Sequence, residues 1–370
     1  MFGDMEGQQN VAKFLSDKVP ELVMAEDGAG QTCFHIACWY NKSSAMFEWL
    51  VQRMCEMQGA EKTKTKLMKA ESKTAMTCLH KAITNGNQML VQKLASPEKF
   101  RQTFQQFPDG VAISKELLEA RCFNHRTCLH LAVAMGKKKI VQCVLEAMRD
   151  HGLESLVQGR LSDGRTVAHS AAIFGRLEVL KIVYEWEETR QAGQGKDLLG
   201  KVDKDGWTCL HWAADASAGG LSLRSDANYV LKKAKRTDED SHARLVDLAC
   251  SMMKDRPNFL LEQEKTKGRT ALHIATRYGS DDLVLALLKN AEAFGKDTLQ
   301  KLLRTPSADG QFPAHEAASK GRTKTLKSLY KMGGIEALLP LDAGVHSCLF
   351  EALVSVWQAP GASSCLCLTS

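Results

Sequence analysis

The chain lacks the segments that place a protein in or across a membrane. Within its 370 residues, no uninterrupted apolar run approaches the roughly 18 residues of a transmembrane helix. The first residues, Met1-Phe2-Gly3-Asp4-Met5-Glu6, lack the basic-then-apolar order of a secretory signal peptide. The net charge of +6 is too small to indicate nucleic-acid binding by itself. We therefore expect an intracellular, cytoplasmic protein for which nucleic acid is a disfavoured partner.

Sequence signatures of catalysis are also missing. The chain contains no Gly-x-Ser-x-Gly element and no phosphate-binding loop that ends in Gly-Lys-Ser/Thr. His315-Glu316 resembles the start of a His-Glu-x-x-His zinc site, but Ser319 occupies the place of the second histidine. These absences predict a protein that is not an enzyme and that takes no cofactor, metal or small-molecule substrate.

A six-residue pattern, Thr-Cys-Leu-His-x-Ala in its clearest form, recurs along the chain. A weaker copy starts at Phe312 and an eroded copy at Ser347. We number the copies as repeats 1 to 8, and the six that begin with threonine start at Thr32, Thr77, Thr127, Thr166, Thr208 and Thr270.

Four motifs are followed by a glycine and then by apolar pairs on one helical face, as in Gly136 followed by Ile140-Val141 and Val144-Leu145. This spacing is typical of one face of a helix, and glycine readily adopts the left-handed conformation that ends a helix. In repeat 1, Asn41 takes the place of the glycine. About ten residues before each motif lies another apolar pair, and turn-forming residues such as Asp205-Gly206 separate pair and motif. The unit is therefore predicted to be helix, tight turn and antiparallel helix.

These features resemble the ankyrin repeat, whose signature has the same Thr-x-Leu-His-x-Ala core. The resemblance implies an all-α solenoid of seven clear repeats and a degenerate eighth, in which helical hairpins stack and β-turn loops connect them. The motif starts are 45, 50, 39, 42, 62, 42 and 35 residues apart, which exceeds the family's period of about 33. We expect the excess in lengthened second helices or in extended loops on the convex side.

The composition divides the chain into three parts. Residues 1–29 are predicted to be an N-terminal helical cap in two pieces divided at Pro20, residues 30–357 the repeat array, and residues 358–370 a flexible tail. The long interval of repeat 5 predicts a mobile insert at about residues 216–241. Within this insert, Lys232, Lys233, Lys235 and Arg236 are either a nuclear-import signal or a solvated basic run.

Four Cys-x-His pairs, in repeats 1, 2, 3 and 5, suggest either zinc ligation or a cysteine nucleophile at first sight. Neighbouring copies in a stack would be about 10 Å apart, too far to share one tetrahedral zinc ion. The histidine also persists where the cysteine is absent, as His169 and His273. We therefore predict that the threonine caps the motif helix, that the histidine bonds the backbone of a neighbouring turn, and that the cysteines are reduced, buried thiols.

The last four residues, Cys367 to Ser370, fit a prenylation box in which Cys367 would carry the lipid. Cys365 is available for a second lipid. Thr369 is a poor match to the aliphatic position of such a box, and an unmodified tail is the alternative. Membrane association is expected only if this lipidation occurs.

By the same resemblance, a protein partner is expected to contact the turn tips and the exposed side of the motif helices. The residue before each motif and the two residues before each hairpin glycine are predicted to face solvent there. Aromatic residues and arginines at such positions are typical of interface hot spots, although the aromatics would equally fill gaps between irregular repeats. The candidate partner-binding residues are Trp39, Tyr40, Arg126, Met135, Arg165, Phe174, Trp207, Arg269, Arg277, Tyr278 and Lys320.

Two functions remain open from the sequence. The first is a non-enzymatic scaffold or adaptor that binds a protein partner on its concave face. The second is the regulatory repeat portion of a larger channel, enzyme or effector, of which this chain is a fragment or an altered product.

Overall fold

The computed structural model describes residues 5–40, 44–217, 240–339, 347–349 and 351–352. These residues form helices joined by turns, and no β-strand occurs among them. They divide into two compact units, one that ends at Asp163 and one that begins at Gly164. Unit 1 contains repeats 1 to 3 and unit 2 contains the later repeats. The predicted all-α fold is confirmed.

Each motif forms a helix that begins directly after its first residue. The conserved apolar positions of this helix are buried, for example Leu79 and Ala82 in repeat 2. Within each unit the motif helix packs on the motif helix of the next repeat. The motif helices of repeats 1 to 7 are Cys33–Tyr40, Cys78–Asn85, Cys128–Met135, Val167–Ile173, Cys209–Ser217, Ala271–Tyr278 and Pro313–Ser319.

A second, antiparallel helix follows in each of repeats 1 to 7, as the apolar pairs predict. In repeat 3, Ile140, Val141, Val144 and Leu145 are all buried on one side of it. The second helices of repeats 1 to 7 are Ala45–Gln58, Gln88–Ala95, Lys138–Asp150, Leu177–Arg190, Asp240–Met252, Asp281–Phe294 and Thr323–Gly333.

The residues in excess of the usual period form further helical segments, which the sequence analysis did not predict. Repeats 3, 5 and 7 have a short 3-10 turn after the second helix, and repeats 1, 2, 4 and 6 have one or two α-helices there. These segments bury both residues of the upstream apolar pair at Leu117-Leu118, Leu198-Leu199 and Leu302-Leu303, and one residue of the pair at Leu67, Val157 and Leu260. The added α-helices are Ala60–Met68, Pro97–Thr103, Gly110–Glu119, Gln194–Gly200 and Lys296–Arg304.

Glycine ends the motif helices where the sequence predicts it. Gly86, Gly136 and Gly279 have φ values of 82°, 67° and 75°, and the backbone N–H of each bonds a carbonyl in the last turn of its helix. This is the left-handed cap that glycine adopts without steric cost. Asn41, at the equivalent place in repeat 1, lies outside the described residues.

The N-terminal segment forms two helical pieces on either side of Pro20, as predicted. They are the α-helix Met5–Lys18 and the 3-10 turn Pro20–Met24. Val11, Phe14 and Leu15 are 60%, 61% and 45% exposed, so the helix presents these apolar side chains to solvent. The proposed cap at residues 1–29, the array at 30–357 and the tail at 358–370 stay predictions.

The insert of repeat 5 begins after Ser217, and the second helix resumes at Asp240. Most of the predicted insert, including Lys232, Lys233, Lys235 and Arg236, lies outside the described residues. Among those described, no helix has both the length and the apolar character to cross a membrane.

Candidate functional site

The recurring threonine and histidine connect one repeat to the next. In repeat 4, the backbone N–H of Thr166 donates to His169 Nδ1 at 3.0 Å, and Thr166 Oγ1 lies 2.9 Å from the same atom. Because Nδ1 accepts, a neutral imidazole carries its proton on Nε2. His169 Nε2 lies 2.9 Å from the carbonyl oxygen of Trp207, in the turn of repeat 5. The predicted capping and bonding roles are confirmed here.

The same bond to the next turn occurs at three other repeats. His35 reaches the carbonyl of Met76 at 2.9 Å, His211 that of Arg269 at 3.0 Å, and His273 that of Gln311 at 3.1 Å. In each case the accepting residue comes directly before the next motif. The histidines are therefore placed to hold consecutive turns together.

Burial favours the neutral form of four motif histidines. Desolvation lowers the pKa of His80, His211 and His273 to about 4 and also lowers the pKa of His35. A general base works best with a pKa near the operating pH. A buried imidazole whose pKa is about 4 and whose ring nitrogens face protein backbone is suited to structure.

The motif cysteines contact the preceding helical segment. The thiol of Cys78 donates to the carbonyl of Leu67 at 3.5 Å, and that of Cys128 to the carbonyl of Leu117 at 3.6 Å. Equivalent bonds join Cys33 to Val23, Cys209 to Leu199 and Cys348 to Leu338, at 3.4, 3.8 and 3.6 Å. Each accepting residue lies in or beside the apolar pair upstream of the motif. The cysteine thus fixes the turn to the helical segment before it.

The thiols are poor nucleophiles. Burial raises the pKa of Cys33 to about 11 and that of Cys209 to about 12, and it raises that of Cys128 well above its usual value. All ten cysteines among the described residues are free thiols. In that part of the chain, no three His, Cys, Asp or Glu side chains group as metal ligands.

Four of the residues predicted to face solvent are buried, and for them that expectation is wrong. Arg126 and Arg165 are only 7% and 5% exposed, while Met135 and Phe174 are 9% and 6% exposed. The Arg126 guanidinium stacks over the ring of Phe123 at 4.6 Å, and that of Arg165 over Trp212 at 4.9 Å. Arginine readily covers aromatic rings in this way, because its planar cation is weakly hydrated.

Trp39 is half-buried in unit 1, where its ring covers a buried ion pair. Lys81 Nζ lies 4.9 Å from the centre of the Trp39 ring and 2.7 Å from a carboxylate oxygen of Glu71. The side chains of Lys81 and Glu71 are 4% and 3% exposed. Trp39 therefore contributes to packing inside unit 1, while the side chain of Tyr40 lies outside the described residues.

Trp207 lies at the edge of a cluster around Trp212 in unit 2. The two rings are 4.9 Å apart, and Trp212 Nε1 donates to Asp203 Oδ2 at 2.8 Å. Asp203 Oδ1 accepts the backbone N–H groups of Asp205 and Trp207 at 3.0 and 2.9 Å. Burial raises the pKa of Asp203, although these hydrogen bonds act against the shift. Trp212 is 8% exposed, whereas Trp207 is half-buried and reaches solvent.

Two arginines share one buried carboxylate next to this cluster. Arg269 Nη2 lies 2.7 Å from Glu316 Oε1, and Arg277 Nη1 lies 3.1 Å from Glu316 Oε2. The Glu316 side chain is 2% exposed, while those of Arg269 and Arg277 are 16% and 32% exposed. A buried carboxylate needs such partners, because its desolvation costs several kcal/mol.

These observations define one surface in unit 2. Trp207 ends the turn of repeat 5, Arg269 ends that of repeat 6, and the His211–Arg269 bond joins these turns. Arg277 and Tyr278 end the motif helix of repeat 6, and both are half-buried. We call Trp207, Arg269, Arg277 and Tyr278 the Trp–Arg surface. Lys320, the remaining candidate, is exposed at the end of the motif helix of repeat 7.

The comparisons with known proteins agree with this geometry. The family model for ankyrin repeats matches residues 34–155 and 242–340, together more than half of the chain. The chain belongs to the ankyrin-repeat family. Ankyrin repeats are protein–protein interaction modules. The ankyrin repeat domain of Bcl-3, described as a unique member of the IkappaB protein family, is a similar solved structure. It has 18% sequence identity and a TM-score of 0.47, and the match covers 74% of this chain and 92% of that one. A comparison with curated proteins finds no match.

Sequence reasoning missed the buried residues that support the Trp–Arg surface, which are Asp203, Trp212 and Glu316. The available signal was the fifth motif position, where most repeats have an apolar or small residue. Lys81 and Glu316 are charged there, and a charge within a buried helix requires a partner. The candidate lipidation sites Cys365 and Cys367 lie outside the described residues.

Proposed function

We propose that this ankyrin protein is a non-enzymatic adaptor that holds a protein partner on the Trp–Arg surface. Family membership supports a protein-binding role. The single observation that carries the choice of surface is the partial exposure of Trp207, Arg269, Arg277 and Tyr278 in neighbouring repeats of unit 2.

The composition of this surface suits a binding site. Tryptophan, tyrosine and arginine are the residues most enriched among interface hot spots. Trp207 and Arg269 are held by backbone bonds between turns and by contacts to Trp212 and Glu316. Side chains that are already ordered lose less conformational entropy when a partner binds. The surface therefore requires little rearrangement before it can form contacts.

Arg165 has another role in this proposal. Its guanidinium covers Trp212 and is 5% exposed. It therefore supports the surface from within instead of acting as an anchor.

The cytoplasm is the proposed compartment, and proximity labelling in the native cell tests compartment and partner together. The decisive comparison then uses two tryptophans of unit 2. Trp207→Ala is expected to weaken binding of the labelled partner by about tenfold or more, as loss of a hot-spot residue does. Trp186→Ala, on the second helix of repeat 4, is expected to leave it unchanged. Equal effects of the two substitutions would remove the Trp–Arg surface from the proposal.

A further inference from the structure

We infer that the Trp–Arg surface recognises an acidic segment of its protein partner. In this arrangement Arg277 and Arg269 bind a carboxylate of that segment, and Trp207 contacts an apolar side chain beside it. The inference rests on the proposed function and adds the chemistry of the partner.

The charges within the surface do not balance. Two guanidinium groups share the single carboxylate of Glu316, so the cluster carries one net positive charge. Lys320 is a further exposed cation, directly after the next motif helix. A partly buried positive charge is less well solvated than one in water and gains more from an opposing anion. The surface is therefore complementary to a negatively charged partner.

The donor geometry is also incomplete without a partner. Each arginine approaches one oxygen of Glu316 through one terminal nitrogen. A guanidinium has five N–H donors in a fixed plane and can bind a carboxylate through two of them at once. Glu316 is the ionic partner of Arg277 among the described residues, and the Arg277 side chain is 32% exposed. Arg277 therefore has N–H donors beyond the one that reaches Glu316, on a side chain that is partly exposed.

Glu316 limits the positive charge that the two arginines offer to a ligand. It lies within 2.7 and 3.1 Å of the two arginines, so any anion bound by them also faces this buried negative charge. The net charge of +6 is likewise modest for a protein that binds a nucleic-acid backbone. An acidic peptide segment fits both observations best.

Trp207 supplies the apolar part of the surface. Its ring packs on Trp212 on one side and reaches solvent on the other. The turn that holds Trp207 is bonded through His211 to the turn that holds Arg269. An acidic residue followed closely by an apolar residue would contact both.

The test uses the full chain and three labelled probes of equal length. One is a pool of short random peptides built from Glu, Leu, Gly and Ser, the second replaces every Glu by Gln, and the third is single-stranded RNA. Fluorescence anisotropy is expected to detect binding of the Glu pool, with affinity that falls as salt is raised. Stronger binding of the Gln pool or of RNA would overturn the inference.

Two substitutions are expected to change the affinity for the Glu pool in opposite directions, which separates recognition from an effect on folding. Arg277→Gln is expected to weaken binding of the Glu pool by about tenfold, because it removes the exposed cation. Glu316→Gln is expected to strengthen binding several-fold, because it removes the competing internal carboxylate. A merely structural role for Glu316 would give no gain. Arg304→Gln is the matched control, since Arg304 also pairs with a glutamate, Glu336 at 3.0 Å, but lies on an added helix.

The outcomes for the inference and for the proposed function differ. Binding of the Gln pool that depends on Trp207 would keep the adaptor proposal and overturn the acidic partner. Binding of the Glu pool that is unaffected by Arg277→Gln and Glu316→Gln would overturn the inference as well. Absence of binding by both peptide pools would count against both proposals.

Discussion

The buried motif histidines make the stability of this protein depend on pH. His80, His211 and His273 are buried and have pKa values of about 4, against about 6.5 for an exposed histidine. Each is a buried imidazole, and those of His211 and His273 also bond the carbonyl of the next turn. Protonation would place an uncompensated charge in that interior.

The first prediction is therefore a loss of stability at mildly acidic pH. Below pH 6.5 the unfolded histidines bind protons, whereas the folded ones do so only near pH 4. Because the unfolded state then holds more protons, the free energy of unfolding falls as the pH is lowered through this window. For a shift from 6.5 to about 4, each histidine contributes a loss of at most about 3 kcal/mol.

Urea unfolding between pH 7.5 and 5 measures the histidine contribution. Carboxylates with a lowered pKa change the free energy of unfolding only below their usual pKa of about 4.5, which lies outside this range. A midpoint that stays constant over that range would contradict the proposed histidine states. NMR should also show no titration of these imidazoles above pH 5 in the folded protein.

The second prediction at this scale concerns the thiols. Iodoacetamide should alkylate half-buried Cys55 and Cys348 before buried Cys128 and Cys209. The buried pair is both shielded and held as thiols by a raised pKa, and the thiolate is the reacting form. Peptide mass spectrometry after timed labelling gives the order, and urea-unfolded protein is the control in which all four react. Early labelling of Cys209 in folded protein would contradict its assigned place.

At the scale of the element, the turn before each motif needs a left-handed residue two positions before the threonine. Gly30, Gly164, Gly206, Gly268 and Gly310 occupy that place with φ between 60° and 87°. In repeats 2 and 3 the place is taken by Ala75 and His125, at φ values of 53° and 58°. A side chain in this conformation costs about 1–2 kcal/mol.

Ala75→Gly is accordingly predicted to stabilise unit 1 by about 1 kcal/mol. The substitution relieves backbone strain while the turn keeps its hydrogen bonds. Thermal unfolding would measure the gain. A decrease in melting temperature would show that the left-handed turn is not formed at Ala75.

Gly268→Ala tests the same turn in the opposite direction. A Cβ at Gly268, where φ is +60°, would lie 2.9 Å from the backbone nitrogen of Ala308 in the next turn. Gly321 has φ of +65°, but a Cβ there would meet nothing within 4 Å. Gly321→Ala should therefore cost only the conformational strain of about 1 kcal/mol, and Gly268→Ala clearly more. Equal losses in urea unfolding would contradict the close contact between these turns.

At the scale of the whole molecule, the described residues form two compact units, and within each unit the motif helices of successive repeats pack on one another. In repeat proteins, stability is approximately a sum of local terms and nearest-neighbour terms. A local change should therefore have a local effect. In Gly268→Ala, hydrogen exchange is predicted to increase in repeats 6 and 7 and to stay unchanged in repeats 1 and 2. A uniform increase along the chain would indicate that the molecule unfolds as a single unit.

The helical hairpins could be predicted from sequence because a motif such as Thr77–Ala82 recurs with the same apolar spacing. The added helices, such as Lys296–Arg304, could not, because they have no common motif and are too short for a clear period. Exposure was predicted less well, since long side chains turn back onto their neighbours. Arg165 covers Trp212 for this reason, whereas Trp207 at the equivalent place in the next repeat reaches solvent.

The central claim is that a protein partner binds the Trp–Arg surface of unit 2. Hydrogen exchange of the full chain, with and without the partner identified by proximity labelling, tests it most directly. Protection is predicted in the turns that end at Trp207 and Arg269 and in the motif helix Ala271–Tyr278. Protection confined to second helices such as Leu177–Arg190, with none in those turns, would contradict the account.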